Sequence, residues 1–517
     1  MKIQTYKKSQ PNVIKKAPFI RYLIFGFLLP ITFGTALGFL PGCKKFVEIP
    51  PPTTQLVTAS VFNNNATASS ALTVIYAQMF SVASYSLAAS PGLLSDELTS
   101  YASSGIYFQE YTNAMLATGG LGYGPWNNNA YNYIYQANAI IAGLQSNTGV
   151  SPAVKQQLTG EAYFIRAFWH FYLTNCYGDV PLVTTTNYAV IDVLPRTPRV
   201  QVLQQVVSDL TTAQGMLNKN YVDVSDTTTT TERTQPNKAA ATALLARAYL
   251  YLGDYSNQNA TDYGYAYNDA NTVITNGSYS LCPNLSGPAN SVFLKNSSEA
   301  IWQLATPLPA TVNTYIGNAF ILLAAPGSSN VTISTQLLNA FEPGDQRKTN
   351  WIGSITSGGK TYNFPYKYKV QTGGTTITEY TMVMRLAEQY LIRAEAQAHG
   401  AGGGIAGAIA DLNTIRARAG LPPTTLTTSS TQSEVLTAIL HERQVELFTE
   451  WGARWFDLNR AALNNPTGVN VSNVMGSPGN VCQFKGGTWN PDGHQMLYPI
   501  PINEITLDPH LTQNTGY

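Results

Sequence analysis

The chain has 517 residues, of which 11% are charged, and a formal net charge of +1. Average soluble domains contain roughly 25% charged residues, so the polar surface here depends on Asn, Thr, Ser and the 31 tyrosines. Six of the 30 Lys and Arg residues precede Cys43, and without them 24 bases face 29 acids, a net charge of −5. Such a charge-poor body lacks the basic surface that phosphate backbones require, which argues against nucleic acid as a partner.

The amino-terminal segment has the layout of an export signal. Residues 1–21 contain the six bases, and residues 22–40 are uncharged and mostly apolar. The alternative is a membrane anchor, because this run approaches the ~20 residues that a helix needs to span a bilayer. We predict a signal peptide over residues 1–42.

Cys43 follows Leu40-Pro41-Gly42, which resembles a bacterial lipobox, although Pro41 stands where Ala or Ser is usual. In a lipobox the cysteine is diacylated and becomes the new amino terminus. Several acyl chains on one residue anchor a protein where a single chain binds only marginally. We therefore predict that Cys43 is the lipidation site. The proline-rich run that follows cannot be helical, which predicts an extended tether over residues 43–59 and one domain over residues 60–517.

The remaining cysteines are Cys176, Cys282 and Cys482, without a CxxC pair or zinc-like spacing. An odd number leaves either no disulfide, which we favour, or one disulfide beside a free thiol.

Helical periodicity dominates from about Ser60 onward. Apolar residues recur at helical spacing over 66–84 and 127–147, and Ser151-Pro152 begins a helix that Gly178 ends. Two Ala-rich helix pairs follow, over 237–277 with a turn at Gly253-Asp254 and over 384–422 with a turn at the glycines 402–404. Both resemble tetratricopeptide (TPR) hairpins. The prediction is a mainly α fold with a TPR-like helical-hairpin scaffold.

Long Thr-, Asn-, Gly- and Pro-rich stretches separate the helix pairs, notably residues 280–333 and 353–381. They contain short strand-like runs at Glu299–Ala305 and Asn363–Val370. Loops of this length in a compact protein are commonly functional. We predict an irregular, loop-rich lobe with a few short strands, which holds the ligand.

Motifs for chemistry are weak. Gly402–Gly407 matches GxGxxG but joins two helices, and His441-Glu442 lacks a second histidine four residues on. We therefore predict no metal and no cofactor. Glu446 and Glu450 could form a glycosidase pair, but such carboxylates usually face each other across a cleft. The spacing predicts instead that Glu446 pairs with Arg443, and Glu450 with Arg454, along one helix.

An aromatic loop, residues 95–129, is the strongest binding candidate. Aromatic faces stack on sugar rings, and Asn, Asp and Gln bond the hydroxyls. The alternative is that the aromatic residues pin the loop to the helices. The candidate ligand-binding residues are Tyr101, Tyr107, Tyr123 and Trp126 in this loop, with Tyr315 from the later lobe.

A set of motifs, in order along the chain, resembles the SusD-like (SusD/RagB) lipoproteins of the Bacteroidota. They lie at residues 43–52, 161–183, 238–255, 385–398, 411–422, 439–460 and 497–517. The resemblance implies a non-enzymatic lipoprotein on the exterior of the outer membrane, with a TPR-like scaffold and an irregular ligand-binding lobe. It also implies that the protein captures oligosaccharides, or in some branches peptides, for a SusC-like TonB-dependent transporter. A glycoside hydrolase and a pure protein scaffold are less favoured alternatives.

Overall fold

The computed structural model describes residues 61–82, 85–118, 123–308, 310–373, 376–476 and 479–517. The predicted signal peptide, Cys43 and the tether lie outside the described residues, so these three assignments stay predictions.

Long helices form the scaffold of the described chain. Those of twelve residues or more are α1 (Asn65–Val82), α2 (Ala130–Ser146), α3 (Pro152–Tyr177), α4 (Arg199–Met216), α5 (Lys238–Tyr255), α6 (Ala260–Thr275), α7 (Leu386–Ala398), α8 (Gly404–Arg418), α9 (Gln432–Leu447) and α10 (Ala453–Asn464). From α2 to α8 each helix packs against the next one along the chain. Helices α6 and α7 follow this rule although residues 276–385 separate them. The predicted TPR-like scaffold is confirmed.

The α5–α6 hairpin turns later than predicted. Gly253 and Asp254 belong to the last turn of α5, and the chain reverses over residues 256–259. A Cβ at Gly253 would lie 2.8 Å from the Tyr263 ring of α6. The glycine therefore permits close approach of the two helices, which sequence alone does not distinguish from a turn.

The irregular lobe is inserted mainly between α6 and α7. Its short strands pair as antiparallel ladders, β1 (Leu98–Ser100) with β5 (Val331–Ile333), β4 (Ala300–Leu304) with β8 (Thr381–Arg385), and β6 (Ile352–Ser357) with β7 (Lys360–Pro365), while β2 (Val180–Pro181) and β3 (Arg196–Thr197) pair beside the scaffold. The strand predicted near Glu299 is β4, and only the start of the run from Asn363 is extended, as the end of β7. Because β1 comes from residues before α2, the lobe joins two distant parts of the chain.

Short helices complete the described fold. They are Ser90–Leu94, Gly105–Tyr111, Tyr188–Ile191, Tyr315–Phe320, Thr335–Ala340, Gln346–Trp351, Val471–Met475, Val481–Phe484 and Ile502–Leu507, with a π-helix at Tyr85–Ala89 and a 3₁₀ turn at His494–Met496. Cys176, Cys282 and Cys482 are buried free thiols. This is the favoured one of the two alternatives, no disulfide among the three.

Most charged side chains in the scaffold pair between elements, although Arg460 and Asp457 of α10 also pair along one helix. The local pairs predicted within residues 443–454 are wrong. Glu450 and Arg454 do not share a helix, because the chain leaves α9 after Leu447 and takes left-handed backbone at Thr449, Trp451 and Gly452. Arg443 and Glu446 do share α9, but each bonds residues of other elements instead. The actual partners are Asp457 for Arg443, three arginines for Glu446, Arg385 and Lys367 for Glu450, and Asp96 for Arg454. These side chains are buried, where a charge requires a hydrogen-bonded partner.

Glu446 is the centre of this buried network. Its carboxylate accepts from Arg347 Nη1 at 2.9 Å, Arg385 Nη1 at 2.5 Å and Arg418 Nη2. Arg347 lies on the helix before β6, Arg385 at the end of β8 and Arg418 at the end of α8. One carboxylate therefore joins the lobe to two scaffold helices.

Candidate functional site

The aromatic loop, residues 95–129, is rigidly attached at its start. Asp96 accepts two hydrogen bonds of 2.7 Å from Arg454 of α10. Burial alone would raise the pKa of Asp96, but the Arg454 guanidinium lowers it. Lys485 donates to the carbonyls of Leu93, Leu94 and Ser95 at 2.6, 3.2 and 2.5 Å. The loop thus leaves the scaffold in one defined direction.

Tyr101 lies on the lobe surface beside β5 and β7. Its hydroxyl is 3.1 Å from the Thr332 hydroxyl, and its ring meets the Tyr362 ring edge-on at 5.9 Å. Lys360 Nζ lies 5.8 Å from the Tyr101 ring centre and 5.1 Å from that of Tyr362. Tyr101 is half-buried, so part of its ring remains available to a ligand.

Tyr107 and Tyr315 lie against the carboxyl end of α1 and the π-helix after it. The Tyr107 ring is 5.5 Å from Tyr85, and the Tyr315 ring is 5.1 Å from Phe80. Both predicted residues are partly exposed. The fold therefore brings a residue of the aromatic loop and one of the later lobe to the same end of α1.

Tyr123 and Trp126 are buried, with 4% and 8% of their surface exposed. The Tyr123 hydroxyl receives the Leu116 amide at 3.2 Å and contacts Gln109. The Trp126 ring packs on Tyr177 at 5.4 Å. Both side chains pin the aromatic loop to α3 and to itself, the alternative weighed for this loop. Ligand contact by either residue stays a prediction.

A cleft of about 670 Å³ opens beside the aromatic loop. We call it the neutral cleft. One wall is Thr112–Thr118 with Phe108. The other comes from residues 486–488, Asn490, His494, Gln495 and Gly516-Tyr517. Among the described residues that line it there is no Asp, Glu, Lys or Arg.

The two walls are tied together. Gln495 Nε2 donates to the carbonyls of Asn113 and Thr488 at 3.2 and 2.6 Å. The His494 ring meets the Tyr517 ring edge-on at 5.0 Å. The bond from Gln495 to Asn113 joins the two walls, whereas the contacts with Thr488 and Tyr517 lie within the second wall.

Several groups in the neutral cleft are available to a ligand. The side-chain amide of Asn490 and the hydroxyls of Thr118 and Thr488 have no hydrogen-bond partner within the described part of the chain, while the Asn490 backbone amide donates to Gln495. The Phe108 side chain is 38% exposed. Amides, hydroxyls and an aromatic face, with no Asp, Glu, Lys or Arg side chain among the described lining residues, suit an uncharged polyhydroxyl ligand.

The second wall was missed by reasoning from the sequence. It lies some 370 positions after the first wall, and only its last two residues, Gly516 and Tyr517, belong to the carboxyl-terminal motif at residues 497–517. The run Gly486-Gly487-Thr488 and the nearby Asn490 resemble the Gly- and Asn-rich composition of the aromatic loop. That composition was the available signal, but it does not indicate which segments meet.

Glu446 and Glu450 do not form a glycosidase pair. Burial alone would raise the pKa of Glu446, but Arg418, Arg385 and Arg347 lower it well below its usual range. Burial would also raise the pKa of Glu450, but Arg385 and Lys367 lower it below its usual value. A general acid needs a raised pKa and access to substrate. Both carboxylates instead serve the buried ion network.

Comparison with known proteins gives two matching family models and several similar proteins. A family model described as "SusD family" matches residues 200–517, and one described as "Starch-binding associating with outer membrane" matches residues 45–250. SusD-like protein P2 of Formosa agariphila is 26% identical over 436 residues, which cover 75% of this chain and 79% of that protein.

Solved structures share the fold. A SusD superfamily protein from Parabacteroides distasonis has a TM-score of 0.70 at 22% identity, covering 87% of this chain and 99% of that one. A SusD homologue from Bacteroides thetaiotaomicron has a TM-score of 0.71 at 18% identity, covering 89% and 98%. Since the first family model matches more than half of the sequence, the chain belongs to the SusD family.

Proposed function

We propose that the protein captures neutral oligosaccharides at the cell surface and delivers them to a SusC-like TonB-dependent transporter of the outer membrane. In this proposal Cys43 carries the lipid anchor and residues 43–59 hold the domain away from the membrane. The observation that carries the proposal is the neutral cleft, with its unpaired amide and hydroxyl groups and the exposed face of Phe108.

The chemistry of the neutral cleft favours sugars over charged ligands. A sugar hydroxyl both donates and accepts hydrogen bonds, as do the side chains of Asn490, Thr118 and Thr488. A phosphate or carboxylate ligand would find no Lys or Arg among the described lining residues to compensate its charge, which is costly. Tyr101, Tyr107 and Tyr315 extend the aromatic surface of the lobe outside this cleft.

Isothermal titration of the purified domain with neutral oligosaccharides and with peptides tests the proposal. Asn490→Ala removes one or two hydrogen bonds and Phe108→Ala removes a stacking face, so each should weaken oligosaccharide binding by about three- to tenfold. Tyr265→Ala is the matched control, because Tyr265 is an exposed aromatic residue on α6.

Two outcomes would contradict the proposal. Binding of peptides alone would assign the protein to the peptide-importing branch of the family. Unchanged oligosaccharide affinity in both cleft variants would place the ligand elsewhere on the lobe, with Tyr101 and Tyr362 as the next residues to replace.

A further inference from the structure

A second cleft lies on the scaffold, and the proposed function places no ligand in it. Trp126 is the one candidate ligand-binding residue among its described lining residues. Its volume is about 460 Å³. The walls come from the start of α2, from the segment after β2 and from the helix Ile502–Leu507. Tyr131 and Tyr135 supply aromatic surface, and Ile191 and Leu507 supply aliphatic surface. We call it the acidic cleft because of the charges that line it.

All charged side chains that line the acidic cleft in the described structure are carboxylates, namely Asp192, Glu504 and Asp508. Asp508 accepts from the backbone amide and ring of His510. Asp192 and Glu504 form no ion pair with any described residue. Burial raises the pKa of Glu504, as expected for a half-buried carboxylate without a cation beside it.

A nearby arginine forms no ion pair with these carboxylates. Arg196 donates to the carbonyls of Asp179 and Thr512 at 2.7 and 3.1 Å and also contacts the Asn514 side chain. It does not line the cleft. The acidic cleft therefore presents negative charge beside aromatic rings, the combination that attracts a guanidinium or ammonium group.

Exposed apolar side chains lie in the wall of the acidic cleft and on the segment 188–193 that contributes Ile191 and Asp192 to it. Leu507 is 80% exposed and Tyr135 is 45% exposed, both in the cleft wall. Tyr188, three positions before Ile191, is 72% exposed, and Val190 and Val193 are also exposed. A small ligand in the cleft would leave much of this surface in water. A protein partner would cover it, as at interfaces with an apolar centre.

We propose that the acidic cleft and its apolar surroundings form a docking surface for a protein partner. The partner places a Lys or Arg side chain against Tyr131 and Tyr135, where Glu504 and Asp192 balance its charge. Apolar residues next to that cation cover Leu507 and Tyr188. The inference does not depend on which ligand occupies the neutral cleft.

Site-specific photocrosslinking in the native host tests this inference on the full-length protein. Tyr135→p-benzoylphenylalanine places the crosslinker in the cleft wall, and the same replacement at Tyr265 of α6 is the matched control. We expect Tyr135 to crosslink to one protein, at a segment with Lys or Arg beside apolar residues. The Tyr265 position should give at least tenfold less of that product.

Charge reversal provides the second measurement. Glu504→Lys in the crosslinking protein should lower the yield at least tenfold, and Glu504→Gln should lower it less. The inference would be overturned if Tyr135 gave no protein crosslink, crosslinked only to glycan or lipid, or gave no more product than Tyr265. It would also be overturned if the crosslinked segment contained no Lys or Arg, or if Glu504→Lys left the yield unchanged. Oligosaccharide titration of the Glu504→Lys protein tests the proposed function separately, and unchanged affinity shows that the variant is folded.

Discussion

Replacing Glu446 with glutamine is the sharpest test of how the lobe is held on the scaffold. The change keeps the size of the side chain and removes only its charge. In the wild-type protein the carboxylate is fully buried and meets Arg347, Arg385 and Arg418. In the variant, three guanidinium groups lose a shared counter-charge, and the new amide group points a donor at an arginine donor.

The magnitude follows from burial. Removing one member of a buried ion pair costs about 3–5 kcal/mol, because the remaining charge stays out of water. No cavity forms, and each arginine keeps another carboxylate, Asp345 for Arg347 and Glu299 for Arg385 and Arg418. Glu446→Gln should therefore lower the free energy of unfolding by about 3 kcal/mol, the low end of this range. Whole domains are stable by only about 5–15 kcal/mol. The loss is therefore large enough to measure and leaves a folded population.

Urea unfolding followed by tryptophan fluorescence measures the loss. Glu434→Gln on the same helix is the control, because Glu434 is exposed and bonds only Thr431 at its amino end. The control should change the unfolding midpoint much less. A loss below about 1 kcal/mol for Glu446→Gln, the range of surface ion pairs, would refute the reasoning that the network holds buried, unsolvated charges.

Two further changes test the aromatic loop and the anchor. Glu110 accepts from Ser90 and Tyr85, yet burial raises its pKa to about 8. The folded protein keeps this proton up to about pH 8, whereas the unfolded chain loses it near pH 4.5. The contribution of Glu110 to the free energy of unfolding is therefore complete below pH 4.5. It falls by about 1.4 kcal/mol per pH unit as the pH rises to about 8. Urea unfolding across this range should show a shallower fall for Glu110→Gln, and an unchanged slope would contradict the assignment. Cys43→Ala should abolish acyl labelling and release the protein from the membrane fraction, whereas retention without acylation would indicate that residues 22–40 are a membrane anchor.

Local signals predicted the scaffold well. Helix α3 begins at Pro152 and ends at Tyr177, just before Gly178, as Ser151-Pro152 and that glycine indicate. The strand β4 lies where the apolar run after Glu299 predicts it. These features depend on residues within a few positions of one another, so periodicity and capping contain the information.

The ion-pair partners of the charged residues were less predictable from the sequence. The charges of residues 443–454 look like pairs along one helix, but Arg454 reaches Asp96, more than 350 positions away. The choice depends on which buried elements approach one another. Gly253 shows the same limit, because a glycine at a helix contact and a glycine in a turn look alike in the sequence.

Periodicity and composition alone predicted a helical-hairpin scaffold with a loop-rich lobe. The order of the motifs along the chain indicated the resemblance to the SusD family. The tertiary structure decided which loop residues are accessible, leaving Tyr101, Tyr107 and Tyr315 partly exposed and burying Tyr123 and Trp126. It also assembled the neutral cleft from residues near 115 and near 490. Secondary structure follows from neighbours along the chain, whereas accessibility and clefts follow from contacts between distant segments, which only packing of the whole domain establishes.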